Sequence, residues 1–222
     1  MHRLPPRLLS AAAAAAHVAA HPSRAVVALD VGSVHTGVAV SDAGSRSLAV
    51  PSHVLHRVGS ASRPNAAHAL ARGFADVLAE HRPCLVVAGW PLEPSGREGP
   101  QCVLTAKRLT EMLEGSDAGA GAAPPVVLWD ERFSTMEAYR QLDEANVRRK
   151  RRRERLRDAV SAAVVLQSFL DAHVAGDGEF DDDEEGEEDV MRALAMEAPR
   201  KPDSRRWKRE RGRGGGGVRG RR

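Results

Sequence analysis

The sequence predicts a mixed α/β domain of about 150 residues, an ordinary domain size. Three observations predict it. Residues 25–58 hold three strand-like runs, 25–29, 37–41 and 52–58, joined by short polar links that favour an antiparallel meander. After Pro64 the apolar spacing changes to Leu70, Phe74, Val77 and Leu78, the i, i+4, i+7, i+8 stripe of an amphipathic helix. Residues 84–89 then form a continuous apolar run, as in a central strand covered on both faces.

The remaining elements follow in order. Residues 91–100 are a glycine- and proline-rich loop, and Val103, Leu104, Met112 and Leu113 mark the next helix. The Gly/Ala/Pro stretch 115–124 predicts a flexible connection before a strand over 125–129. Ser134-Thr135-Met136-Glu137 is a capping box that starts a helix running to about Ala145. A basic loop and a helix from about Glu154 to His173 complete the domain. The order of three strands, helix, strand, helix, strand, helix, helix makes the later strands parallel to the first.

The flanks differ in composition from this core. Residues 1–24 contain Arg3, Arg7, Arg24 and an alanine run but no acid, which resembles an organellar transit peptide of the chloroplast or mitochondrion. A secretory signal and a plain disordered leader are the alternatives. The domain is therefore expected over 25–175, followed by a tail over 176–222. In that tail residues 177–189 are almost wholly acidic and residues 200–222 are basic, and neither block has the apolar surface to fold. The net charge of +3 hides these opposed blocks.

No stretch is apolar and long enough to span a membrane, so no membrane partner is expected. Cys84 and Cys102 are the only cysteines and lie far apart without a Cys-x-x-Cys partner, so neither a disulfide framework nor a zinc site is indicated, and a reducing compartment fits best. The nine histidines show no metal-ligand spacing, and His53 and His56 read as surface residues.

Three carboxylates stand out. Asp30 ends the apolar run 25–29 and opens D-V-G-S-V-H-T-G-V-A-V-S-D, a strand, glycine turn and second strand. An acid at the end of a buried strand costs several kcal/mol of desolvation unless a cation matches it. Glu131 ends the run 125–129 beside Asp130, and strand alternation prevents both from facing one site, so Glu131 is the favoured ligand and Asp130 the alternate. Asp158 shares a helix face with Ala162 and Val165, the face that must meet the sheet.

Dense positive charge precedes Asp158. Arg148, Arg149, Lys150, Arg151, Arg152, Arg153, Arg155 and Arg157 supply charge and fork-shaped hydrogen bonding for phosphates, and Arg132 adds to them. A solvated face or a targeting signal is the bland alternative. Residues 89–101 lead into a helix N-terminus, where free backbone N–H groups can receive an anion, or form a simple surface loop.

Four segments together, D-V-G-S-V-H-T-G-V-A-V-S-D, G-W-P-L-E-P-S-G-R-E-G-P-Q, W-D-E-R-F-S-T and R-D-A-V-S-A-A-V-V-L-Q-S-F-L-D, resemble the YqgF/RuvX family of RNase H-like nucleases and cover residues 25–171 in order. The resemblance implies an RNase H-like fold, with a five-stranded mixed sheet of three antiparallel strands followed by parallel ones, flanked by helices. It also implies either 5′ maturation of the small-subunit ribosomal RNA precursor or Holliday junction resolution. The family's catalytic acids fall on Asp30, Glu131 and Asp158. Val34-His35 stands where the family usually carries Lys-Arg, removing a basic contact, and Trp90 replaces an aliphatic residue.

The leading expectation is a two-metal phosphodiesterase in which Asp30, Glu131 and Asp158 hold Mg²⁺ or Mn²⁺, ions suited to all-oxygen ligands and sitting about 4 Å apart in such sites. Its partner is nucleic acid, precursor rRNA before branched DNA. A non-catalytic ribosome assembly factor is the second expectation, and a phosphotransferase the third. The latter would need two such domains around a nucleotide. The sequence does not fix the oligomeric state.

Overall fold

The computed structural model describes residues 7–42, 46–56, 64–120, 123–132, 134–144 and 150–174. In chain order these form β1 (Leu8–Leu9), α1 (Ala11–Ala19), β2 (Val26–Val31), β3 (His35–Ser41), β4 (Ala49–His56), α2 (Pro64–His81), β5 (Leu85–Trp90), α3 (Pro100–Ala120), β6 (Val126–Asp130), α4 (Ser134–Glu144) and α5 (Lys150–His173). One sheet runs β1-β6-β5-β2-β3-β4. Strands β2, β3 and β4 pair antiparallel, whereas β5 joins β2, and β6 joins β5, in parallel.

Alternation along the central strands divides the core between two faces. Val26 and Ala28 of β2, with Leu85 and Val87 of β5, pack against Ala162, Val165, Leu166 and Phe169 of α5. Val27, Leu29 and Val31 face the other way and meet Leu70, Phe74 and Val77 of α2 and Leu109 and Met112 of α3. The stripe expected from the sequence is thus the buried face of α2. Cover on both faces also explains why the adjacent strands β2, buried except at Asp30, and β5, buried throughout, read as unbroken apolar runs.

Four boundaries differ from expectation. The sheet has six strands rather than five, because part of the presumed leader folds: β1 adds parallel to β6, and α1 buries Ala14 and Val18 against the core. Alanine is the best helix former and its small side chain allows close packing, so the same composition that resembles a transit peptide also builds α1. Ser10 caps the helix start, and Arg46, buried between β3 and β4, donates to the carbonyls of Val18, in the last turn, and His21, just beyond it. Helix α3 continues to Ala120 where a flexible link was expected, and the missing Cβ of Gly115 admits Ala71 of α2 at the crossing. Strand β4 starts at Ala49 instead of 52 and is described to His56, with 57 and 58 outside the described residues.

The fourth difference concerns the basic segment. Lys150 to Arg153 belong to the first turns of α5 and not to a loop, while Arg148 and Arg149 lie outside the described residues, as does the tail from 175 onward. No helix among the described residues is long and apolar enough to cross a membrane.

Candidate active site

The site lies at the carboxyl ends of β2, β5 and β6, under the part of α5 that carries Asp158 and Ser161. Asp30 follows Val26 and Ala28 on the face that α5 covers, and its side chain is hydrogen-bonded to Ser161 of that helix. Burial, opposed by the Ser161 bond and reinforced by the nearby charge of Asp158, pushes the Asp30 carboxyl up to about 6.

Glu131 reaches the same place from just beyond β6, where its N–H donates to Trp90 O at 3.3 Å. Its carboxylate lies over Gly89 of β5, and a Cβ at that glycine would overlap Oε2. Burial first, then the charges of Asp30 and Asp130, push Glu131 up to about 8. Oε2 is fully enclosed without a hydrogen-bond partner. A buried carboxylate oxygen with no donor is a standing free-energy cost, which a cation would remove.

Asp130 points elsewhere. Its side chain is over a third exposed and holds Arg132, through Nε at 2.7 Å and Nη2 at 2.6 Å, which keeps its carboxyl below the usual range. The two neighbouring acids are therefore separated as strand alternation requires, with Glu131 inward and Asp130 outward.

Asp158 is brought beside Asp30 by a close helix–strand approach. Gly37 of β3 pairs with Asp30, and a Cβ on Gly37 would overlap the backbone carbonyl of Asp158. The Asp158 carboxylate is not open, however. Oδ1 accepts from Arg157 Nε at 3.0 Å and Nη2 at 2.8 Å, and Oδ2 is 3.2 Å from His35 Nδ1. Arg157 also donates to the Tyr139 hydroxyl of α4 at 3.2 Å, and these bonds raise its pKa further.

Asp30 thus interacts with both other acids, yet among the described residues no three His, Cys, Asp or Glu side chains gather around one point. Sequence reasoning missed Ser161, the contacts of His35 and Arg157 with Asp158, and the roles of Gly37 and Gly89. Glycine inside a strand was the available signal, because it often marks a close approach. His35 does not simply remove a basic contact, since it contributes one to Asp158.

The flanking loop is less suited to anions than expected. It folds back through a Leu92–Glu98 bridge, with Gly96 at φ 80° and Trp90 Nε1 donating to Glu98 at 3.2 Å. Glu93 packs on Gly99 beside the start of α3, so two carboxylates stand near that helix end. Of the cationic run, only Arg157 has a described side chain in the site. Side chains 150–155 lie outside the described residues.

A family model described as RuvX: Holliday junction resolvase matches residues 24–172. The chain belongs to the RuvX family. Among its relatives, a Rhizobium meliloti protein named "Putative pre-16S rRNA nuclease" is 36% identical over 150 residues, 68% of this chain and 82% of that one. A Geobacillus kaustophilus protein of the same name is 36% identical over 65% of this chain and 95% of its own length. The structure is also similar to Thermus thermophilus RuvC in complex with Holliday junction substrate, at 20% identity and TM-score 0.43 over 67% of this chain and 95% of that one. This RuvX member is a phosphodiester-hydrolysing nuclease with an RNase H-like fold.

Proposed function

We propose that this chain is a nuclease dependent on Mg²⁺ or Mn²⁺ that matures the 5′ end of a small-subunit ribosomal RNA precursor. The names of its bacterial relatives support the substrate. One observation carries the metal requirement: Glu131 Oε2 is buried without a donor, beside a second buried acid, in space that Gly89 leaves open. Carboxylate oxygens are the donors that hard divalent cations take, so the residues present fit such an ion.

Asp30 and Glu131 would hold it, with Asp158 joining once freed from its present partners. A bound ion of this kind supplies an activated water and charge stabilisation for displacement at phosphorus. The chain's own residues prepare that chemistry. Ser161 orients the Asp30 carboxylate, Gly37 lets α5 settle onto β3, and Gly89 gives Glu131 its place beside Asp30. Arg157 lies where a guanidinium can meet phosphate oxygens.

The test offers the full chain precursor rRNA, linear DNA and a four-way DNA junction, each with Mg²⁺, Mn²⁺ or chelator. Cleavage of the RNA with metal, and none with chelator, is expected. Asp30→Asn and Glu131→Gln should each lower the rate by more than about 100-fold, the upper range for residues that merely support a metal. Cutting confined to the junction would replace the RNA reading with resolvase activity. Binding without cleavage in either metal would make the chain an assembly factor.

A further inference from the structure

We infer that Arg157 is an exchangeable counter-ion: it neutralises Asp158 while the site lacks metal, then transfers to a substrate phosphate when a divalent cation claims that carboxylate. The inference rests on the proposed metal-dependent reading of the same site. Its basis is the distribution of bonds around the three acids. Both oxygens of Asp158 are occupied, Oδ1 by two N–H groups of Arg157 and Oδ2 by His35, whereas Glu131 Oε2 has no donor. The acid on the covering helix has both oxygens bonded, whereas a strand-borne one keeps an enclosed oxygen without a donor.

That distribution suits an exchange. A divalent cation shared by Asp30 and Asp158 would stand close to the guanidinium and repel it, and the half-buried Arg157 side chain, 34% exposed, has room to leave. The contact it would leave is between adjacent residues, which a helix does not place face to face, so the side chain has folded back to make it. Tyr139 of α4 holds the remaining arm through its hydroxyl, with the guanidinium carbon 6.0 Å from the ring centre, and so supplies a pivot. A planar fork released from a carboxylate finds an equivalent partner in a phosphodiester, because both present paired anionic oxygens.

The experiment measures Mn²⁺ alone, by the electron paramagnetic resonance signal of the free aquo ion, against full-length wild type, Arg157→Gln, Arg157→Lys and Arg132→Gln. Arg132→Gln removes an equal charge from the neighbouring Asp130 and controls for general electrostatics. Arg157→Gln should bind Mn²⁺ about fivefold more tightly than wild type, the scale of one well-made ion pair, and more tightly than Arg132→Gln. In parallel, affinity for an RNA fragment with Ca²⁺ present should fall for Arg157→Gln and be partly kept by Arg157→Lys. Opposite movements of metal and RNA affinity would support the exchange, since a merely structural defect weakens both.

Equal Mn²⁺ gains for the two glutamine variants, or no gain at Arg157, would overturn the exchange while leaving the metal-dependent nuclease intact. Absence of Mn²⁺ binding by both wild type and Arg157→Gln would remove the metal reading itself.

Discussion

The strand-borne acids and the helix-borne acid of this site are in opposite electrostatic states. Asp30 and Glu131 stand at strand ends under α5, with one serine bond between them, and burial pushes them up to about 6 and about 8. Asp158, on the covering helix, meets a guanidinium and an imidazole within 3.2 Å. The three acids thus limit their mutual repulsion in two ways. Near neutral pH Glu131 retains its proton, and Asp158 shares its charge with the Arg157 guanidinium. Loading a divalent ion therefore has to release a proton from the first group and displace a cation from the second.

The two glycines beneath these acids differ most in what an added Cβ would meet. A Cβ at Gly37 would overlap the backbone carbonyl of Asp158, which belongs to a helix and cannot swing aside. A Cβ at Gly89 would overlap only the carboxylate end of Glu131, a flexible side chain. Gly37→Ala is expected to destabilise the fold by roughly 3 kcal/mol or more, the upper part of the overpacking range. Gly89→Ala should melt within about 1 kcal/mol of wild type yet lose cleavage, because its cost falls on the placement of Glu131. Urea melts and cleavage rates of the two variants check this, and equal destabilisation would mean that Glu131 is as rigidly held as the helix.

Much of this arrangement was legible in the sequence, and the exceptions share a cause. Asp30 is conspicuous because an acid ending an apolar strand violates burial, and the alternation of Asp130 and Glu131 follows from strand geometry alone. The pairing of Asp158 with Arg157 and His35 is not legible in that way. The His35 contact joins β3 to α5 across more than a hundred residues, the Arg157 contact needs a side chain folded back onto its neighbour, and neither propensity nor period reports such contacts. Helix α1 and strand β1 were hidden for another reason. A two-residue strand carries no period, and an alanine run fits both a targeting peptide and a packed helix. Arg46, whose buried guanidinium meets the carbonyls of Val18 and His21, ties that helix to the domain by a tertiary contact again.

Acidity should sharpen the comparison at a smaller scale. Because Asp30 and Glu131 have folded pKa values above those of free side chains, the folded state binds more protons than the unfolded one. Their contribution to stability is then fully present below about pH 4, the unfolded carboxylate range, and is lost as pH rises through about 6 and about 8. Melting temperature in chelator should accordingly decline from pH 5 to pH 9, and millimolar Mg²⁺ or Mn²⁺ should flatten the decline by replacing the lost protons. A profile identical with and without metal would show that the two acids do not bind it.

The smallest expected effect separates the two classes of acid directly, by replacing each with its amide in chelator. Glu131→Gln removes a charge that the folded protein accommodates poorly, so at pH 9 the variant should melt above wild type, by on the order of 1 kcal/mol. At pH 5 the wild-type carboxyl is already protonated, and the two proteins should melt nearly together. Asp158→Asn reverses the sign, because it leaves the Arg157 guanidinium without its anion. A loss of up to about 1 kcal/mol is expected, the range of a partly exposed ion pair, and it should shrink in high salt as screening weakens the original attraction. The gain at Glu131 should persist in salt, since its origin is burial rather than a distant charge. If both amides shift the melt in the same direction at pH 9, the acids share one environment, and the division between a protonated strand end and a cation-matched helix is wrong.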